Sequence, residues 1–175
     1  PGCACGAMRA AGLAEARTNA AKTVARTHDL DAETVRHYAT DGAVVLRGVF
    51  NASELALLER GIEHNLAHLS PLALVASEPD DPGRFVEDFC TWQTNPDYQR
   101  VLTESALPHL AAQLMQSQAV RLYHDHLLVK EAGTRQPTPW HQDQPYYNVG
   151  GMQNMSFWIP VDPVPLASTL RFVAG

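Results

Sequence analysis

Residues 154–161 read NMSFWIPV, and their side chains alternate between two kinds. One face holds Asn154, Ser156 and Trp158, and the other holds Met155, Phe157, Ile159 and Val161. Because successive side chains of a β-strand point to opposite faces, this alternation predicts a strand with its aliphatic side toward a core. A tryptophan beside Asn and Ser indicates that Trp158 lines a pocket, with ordinary packing as the alternative.

Other segments show the same period of two. Residues 119–130 read AVRLYHDHLLVK, which predicts a strand whose shared face carries Val120, Leu122, His124, His126, Leu128 and Lys130. Residues 43–46, AVVL, predict a short buried strand, and residues 168–173 predict the start of another. The region after residue 118 is therefore expected to form a sheet.

The region before residue 118 has the period of helices. Capping residues predict helix starts at Asp31, Asn51 and Asn95, and Asn51 with Glu54 has the spacing of a capping box. The second helix has a predicted apolar stripe of Leu55, Leu58, Ile62, Leu66 and Leu69, and a later helix has Leu107, Leu110, Ala111 and Leu114 on one face. Residues 70–83 read as a loop. Helices followed by strands predict an α+β, mainly β chain with helices packed outside an antiparallel sandwich or barrel.

Composition narrows the functional classes. The chain has 175 residues, 45% of them hydrophobic, which is enough for one packed domain. A net charge of −6 argues against nucleic acid or an anionic membrane as partner. Three cysteines give no disulfide framework, so we expect a soluble protein in a reducing, cytoplasmic setting.

Residues 1–27 differ from the remainder of the chain. They are rich in alanine and carry four basic residues and one acidic residue. Such a leader is typical of an organelle transit peptide, and the plainer interpretation is an extension outside the folded domain. We expect residues 1–27 to lie outside the fold and residues 28–175 to form one domain.

The sharpest chemical feature is His141-x-Asp143. If both residues lie on a strand, their imidazole and carboxylate point to one place. Together they are two of the three ligands of the 2-His-1-carboxylate triad, which leaves positions on Fe(II) open for a co-substrate and O2. The alternative is that His141 is only hydrogen-bonded to Asp143 near a turn.

Three stretches resemble the phytanoyl-CoA dioxygenase family. They are DGAVVLRGVF at residues 41–50, RLYHDHLLVKEAGTRQPTPWHQDQPYYN at residues 121–148 and QNMSFWIPVDPVPLASTLRFVAG at residues 153–175. The resemblance extends over residues 29–175. It implies an oxygenase dependent on Fe(II) and 2-oxoglutarate, built on a jelly-roll barrel, the double-stranded β-helix. Its reaction uses O2, hydroxylates a small molecule and releases succinate and CO2.

The resemblance also assigns roles. It implies that His141 and Asp143 are iron ligands, that Gln142 and Trp158 line the 2-oxoglutarate site, and that His126 contacts the co-substrate. The family also carries a lysine just before a Val-x-Asp-Phe element, where this chain has Phe85 after Arg84. Whether Arg84 replaces that lysine is left open by the sequence.

Two of the family's residues have no counterpart here. His141 is the last histidine, and Arg171 is the only basic residue after it. The resemblance places the third iron ligand, a histidine, and the arginine for 2-oxoglutarate on later strands. We therefore expect the third ligand beyond residue 175, a barrel incomplete in this fragment, and a fragment that is inactive by itself.

Other functions compete with the oxygenase. His124, His126 and Glu131 have a spacing similar to the metal motif of cupins, although Gln118 and Thr138 stand where that motif has glycines. A non-catalytic β-sandwich that binds a ligand is the third possibility. His64 and His68, one helical turn apart, are interpreted as a solvated helix face because no acidic partner is in register.

Overall fold

A computed structural model of the chain describes residues 25–175. Helix α1 spans Ala32–Asp41, α2 Ala52–Ala67, α3 Pro96–Glu104 and α4 Leu107–Leu114. Strand β1 spans Leu74–Val75, β2 Phe85–Phe89 and β3 His126–Lys130, and 3-10 turns cover Gln144–Tyr146 and Leu166–Ser168. Within residues 25–175, no helix combines the length and apolar character needed to cross a bilayer.

The predicted helix starts are confirmed. Asp31 accepts a hydrogen bond from the Thr34 amide at 2.6 Å. Asn51 and Glu54 form the full capping box, each side chain accepting from the other's backbone amide, at 2.9 and 2.8 Å. Asn95 caps α3, with Pro96 in its first turn.

The buried face of α2 differs from the predicted stripe. The buried residues are Glu54, Leu57, Gly61 and Asn65, whereas Leu69 lies beyond the helix and is exposed. Four residues of the predicted stripe, Leu55, Leu58, Ile62 and Leu66, are half-buried, and Leu58 packs against the core. The most buried face differs because Glu54 and Asn65 are buried with polar partners. Arg26 pairs with Glu54 at 2.9 Å, and Asn65 donates to Asp88 at 2.7 Å.

Two clusters of buried apolar side chains lie among the helices. Val49, Ala106 and Leu110 make one buried cluster, and Leu57, Val101 and Leu107 make a second. Phe50 and Phe157 pack against both clusters. All four apolar residues predicted for the face of α4 are buried.

Arg26 joins the fold from the N-terminal side. Its amide donates to the Glu104 carbonyl at 2.9 Å, and its guanidinium donates to Glu54 and to the Val49 carbonyl. The packed part of the described chain therefore begins by Arg26, so at least two residues of the stretch expected to lie outside the fold, 26 and 27, belong to it. The expectation for residues 1–24 falls outside the described residues.

The described residues form mixed helix and sheet, but less sheet than predicted. The strand order is β1-β2-β3, antiparallel throughout, with Phe85 opposite Lys130 and Phe89 opposite His126. Residues 43–46, 119–125, 154–161 and 168–173 are in no strand, so a jelly-roll barrel is not formed within residues 25–175. The strand predictions for these four segments were wrong because a strand also needs a hydrogen-bonded neighbour, which alternation alone does not supply.

Candidate metal centre

His141 and Asp143 approach each other at a turn. His141 Nε2 lies 3.2 Å from Asp143 Oδ1, and the two side chains are 40% and 49% exposed. The backbone is not the strand expected for them, because Asp143 has helical angles (φ −71°, ψ −36°) and precedes the 3-10 turn at Gln144. The turn therefore brings together two side chains that strand geometry was expected to align.

The contact of His141 Nδ1 shows which ring nitrogen carries the hydrogen. Nδ1 lies 2.8 Å from the Pro139 carbonyl, and a carbonyl oxygen only accepts, so Nδ1 carries the hydrogen. In the neutral imidazole, Nε2 then presents its lone pair to the Asp143 carboxylate. Two acceptors this close need a cation or a proton between them.

Asp143 Oδ2 faces two hydroxyl groups. Ser156 Oγ lies 3.1 Å from it and Tyr147 Oη 3.3 Å, and the two hydroxyls are 2.9 Å apart. Burial and the nearby Asp143 charge raise the pKa of Tyr147, so its hydroxyl keeps the hydrogen it donates. Sequence reasoning missed these contacts, although Ser156 does stand on the polar face of residues 154–161.

Aromatic rings surround Tyr147. The centroid of Tyr147 lies 5.3 Å from that of Tyr123 and 5.5 Å from that of His124. The Tyr123 hydroxyl accepts a hydrogen bond from the Asn148 amide at 3.0 Å. These contacts fix the position of the ring whose hydroxyl reaches Asp143.

His126 has a protein partner on the sheet. Its Nε2 lies 3.0 Å from Glu87 Oε2, and its ring stacks on Phe89 with centroids 4.0 Å apart. Burial lowers the pKa of His126, although Glu87 acts in the opposite direction. Glu87 was missed from the sequence because only the β2–β3 register places it near His126. The predicted contact of His126 with a co-substrate stays a prediction.

Gln142 and Trp158 are both exposed, Trp158 by 45%. Trp158 lies two residues after Ser156, and the intervening Phe157 packs inward on the helices. Trp158 and Ser156, which reaches Asp143, are therefore both exposed while Phe157 between them is partly buried. The roles of Gln142 and Trp158 in binding 2-oxoglutarate stay predictions.

Arg84 is engaged elsewhere. Its guanidinium donates to Glu131 Oε1 at 2.6 and 3.0 Å, and its amide donates to Glu131 Oε2. This pairing raises the pKa of Arg84 and lowers that of Glu131. Across the sheet, Lys130 places its ammonium 4.6 Å from the centre of the Phe85 ring.

The cupin-like set is not assembled. Glu131 pairs with Arg84, and His126 pairs with Glu87. Among residues 25–175, no three His, Cys, Asp or Glu side chains converge as a metal site. His64 and His68 stack with centroids 4.6 Å apart on the exposed side of α2, also without a third ligand in that range.

Comparison with known proteins decides the family. A family model described as Phytanoyl-CoA dioxygenase (PhyH) matches residues 38–175. The chain belongs to the phytanoyl-CoA dioxygenase family. Phytanoyl-CoA dioxygenase proteins have a jelly-roll fold and are in general oxygenases that use Fe(II) and 2-oxoglutarate. Searches of curated proteins and of solved structures found no match.

Proposed function

We propose that the protein is an Fe(II)- and 2-oxoglutarate-dependent dioxygenase in which His141 and Asp143 ligate the iron. It uses O2, hydroxylates a small molecule and releases succinate and CO2. The acidic charge balance supports a small-molecule substrate over nucleic acid or a membrane. The observation that carries the proposal is the 3.2 Å approach of His141 Nε2 to Asp143 Oδ1.

The donor atoms fit a metal ion. An ion about 2.1 Å from two donors at right angles holds those donors about 3 Å apart, close to the separation of Nε2 and Oδ1. The Pro139 carbonyl leaves the Nε2 lone pair free, as a metal ligand requires. Imidazole and carboxylate are also the donor types of non-haem Fe(II) sites.

Each residue then has a defined task. His141 and Asp143 hold the metal, and Gln142 and Trp158 line the co-substrate site with His126 beside it. When bound, Fe(II) and 2-oxoglutarate supply the oxidising chemistry, while the chain orients the substrate and limits water. Because residues 25–175 hold only two converging donors, we expect the 175-residue chain to bind the ion weakly and turn over little.

The metal assignment is tested with Mn²⁺ as a probe for the ferrous site. Free Mn²⁺ is measured by electron paramagnetic resonance in titrations of the 175-residue chain, His141→Ala and Asp143→Ala. We expect either substitution to weaken binding at least about tenfold, since each removes one of two donors. His64→Ala, which removes an exposed histidine of α2, is the matched control and should bind as the unaltered chain does.

Turnover is tested in the protein as its gene encodes it. Succinate formation from 2-oxoglutarate should be abolished in His141→Ala and in Asp143→Ala. Retained succinate formation in both variants, with Mn²⁺ affinity unchanged, would show that the pair is only an ion pair at a turn. Loss of metal binding in His124→Ala, with His141→Ala harmless, would favour the cupin-like arrangement.

A further inference from the structure

Asp143 presents its two carboxylate oxygens to different surroundings. Oδ1 lies against His141, whereas Oδ2 lies against the hydroxyls of Tyr147 and Ser156. We propose that Tyr147 and Ser156 are positioning residues that keep Asp143 a ligand through Oδ1 alone. This inference rests on the proposed function, because it concerns how that site holds its metal.

The hydroxyl hydrogens support this division. The Ser156 hydroxyl, 3.1 Å away, donates to Oδ2, and the Tyr147 hydroxyl donates either to Oδ2 or to Ser156 Oγ at 2.9 Å. In either arrangement Oδ2 accepts at least one hydrogen bond. An oxygen that accepts such a hydrogen bond is a poorer ligand for a cation than the free oxygen beside it.

The two hydroxyls are held from separate parts of the chain. Tyr147 follows the 3-10 turn and contacts the rings of Tyr123 and His124. Ser156 precedes Phe157, whose ring packs against both buried clusters of the helices. Because neither support depends on the other, Asp143 is oriented from two sides.

Whether Asp143 binds through one oxygen or two decides how many coordination positions on the metal ion stay open. A triad of three single donors leaves three positions on an octahedral ion for a bidentate co-substrate and O2. A carboxylate that binds through both oxygens takes one of these positions. Tyr147 and Ser156 therefore preserve a position that the reaction needs.

The test compares Tyr147→Phe, Ser156→Ala and the double variant with the unaltered chain, again by Mn²⁺ titration and electron paramagnetic resonance. The second oxygen of a carboxylate adds little affinity because its chelate ring is small and strained, whereas the loss of both hydroxyls leaves Asp143 without a fixed orientation. We therefore expect the double variant to bind about 10- to 100-fold more weakly and each single variant to fall between. Tyr146→Phe is the matched control, because Tyr146 is adjacent in sequence and 67% exposed, and its ring contacts His141 rather than Asp143. Ser156→Thr keeps a hydroxyl and should retain the affinity.

A second readout separates positioning from general stability. In infrared difference spectra of the Mn²⁺-loaded chain, the two carboxylate stretching bands of Asp143 lie farther apart for ligation by one oxygen than by two. We expect this separation to narrow in the double variant while the urea unfolding midpoint stays within error of that of Tyr146→Phe. An unchanged separation with unchanged affinity overturns the inference.

The outcomes distinguish this inference from the proposed function. Weakened binding in Asp143→Ala, together with full affinity in the double variant, overturns the positioning role and leaves the metal assignment standing. Equal affinity in the unaltered chain and Asp143→Ala overturns both. Weakening in the double variant with rescue by Ser156→Thr supports both.

Discussion

Asp88 is a fully buried carboxylate whose charge is matched by hydrogen bonds. It accepts from Asn65 Nδ2 at 2.7 Å, from the Ser70 amide and hydroxyl, and from the Phe89 amide at 2.8 Å. Burial alone would raise its pKa, but the hydrogen bonds outweigh burial and hold the pKa of Asp88 below its ordinary 3.8. The ionised group therefore ties α2 and the following loop to β2.

Asp88→Asn should lower the free energy of unfolding by about 3 kcal/mol at pH 7, because amide hydrogens would face the donors that the carboxylate now accepts. The depressed pKa means that the contribution of the carboxylate is present above about pH 4 and is lost as pH falls through the folded-state pKa. Urea unfolding at several pH values measures the free energy of unfolding of the unaltered chain and of Asp88→Asn. The difference between these two free energies should shrink below about pH 4.

The control for this prediction is Asp80→Asn, which changes a carboxylate that is 84% exposed and should alter stability by less than about 0.5 kcal/mol. The role assigned to the charge would be contradicted if the unaltered chain and Asp88→Asn differed by the same free energy of unfolding down to pH 3.

Contacts between residues close in sequence were the easiest to predict from the sequence. The caps at Asp31, Asn51 and Asn95 depend on residues within a few positions, and all three were predicted from the sequence. The approach of His141 to Asp143 is equally local. The contact of Ser156 with Asp143 spans 13 residues and depends on how two segments cross, which no local pattern encodes.

Helices α2 and α3 pack tightly against each other at Gly61. A Cβ placed there would lie 2.6 Å from two ring carbons of the buried Tyr98, and Asn95 donates to the Gly61 carbonyl at 2.9 Å. The absence of a side chain at Gly61 therefore sets the distance between the two helices. The sequence pattern did not identify this role, because it assigned the buried face of α2 to leucines.

Gly61→Ala should destabilise the protein despite the better helix propensity of alanine. The gain in propensity is about 1 kcal/mol, whereas displacing the Tyr98 ring costs about 1–3 kcal/mol, so we expect a net loss of about 1 kcal/mol. Thermal unfolding followed by circular dichroism measures the change. Glu59→Ala, at an exposed position of the same helix, should be near neutral, and a higher melting temperature for Gly61→Ala than for Glu59→Ala would rule out the close contact.

At the scale of the whole molecule, residues 154–161 pack some of their side chains inward but do not pair with a neighbouring strand. Phe157 and Ile159 are partly buried against the helices, while Ser156 and Trp158 are exposed, so the predicted alternation is present in the burial. Yet this segment belongs to no strand within residues 25–175. Side-chain alternation was readable from the sequence because it is local, whereas strand pairing depends on partners far along the chain.

Hydrogen exchange tests this arrangement. Amides of residues 154–161 should exchange faster than those of β2 and β3, whose ladder pairs Val86 with Val129 and Asp88 with Leu127. Mass spectrometry after short labelling times resolves the two regions, and the amides of α4 give an internal reference for strong protection. Equal protection of residues 154–161 and β2 would mean that the segment is paired in solution.

Phe157 connects the helical layer to the exposed side of residues 154–161. Its ring fills space between the two buried clusters, and the residues on either side of it in sequence are Ser156 and Trp158. The depth at which this ring is seated fixes how far both neighbours project. Exchanging Phe157 for a smaller aliphatic residue would thus let Ser156 and Trp158 recede together, although neither side chain is itself altered.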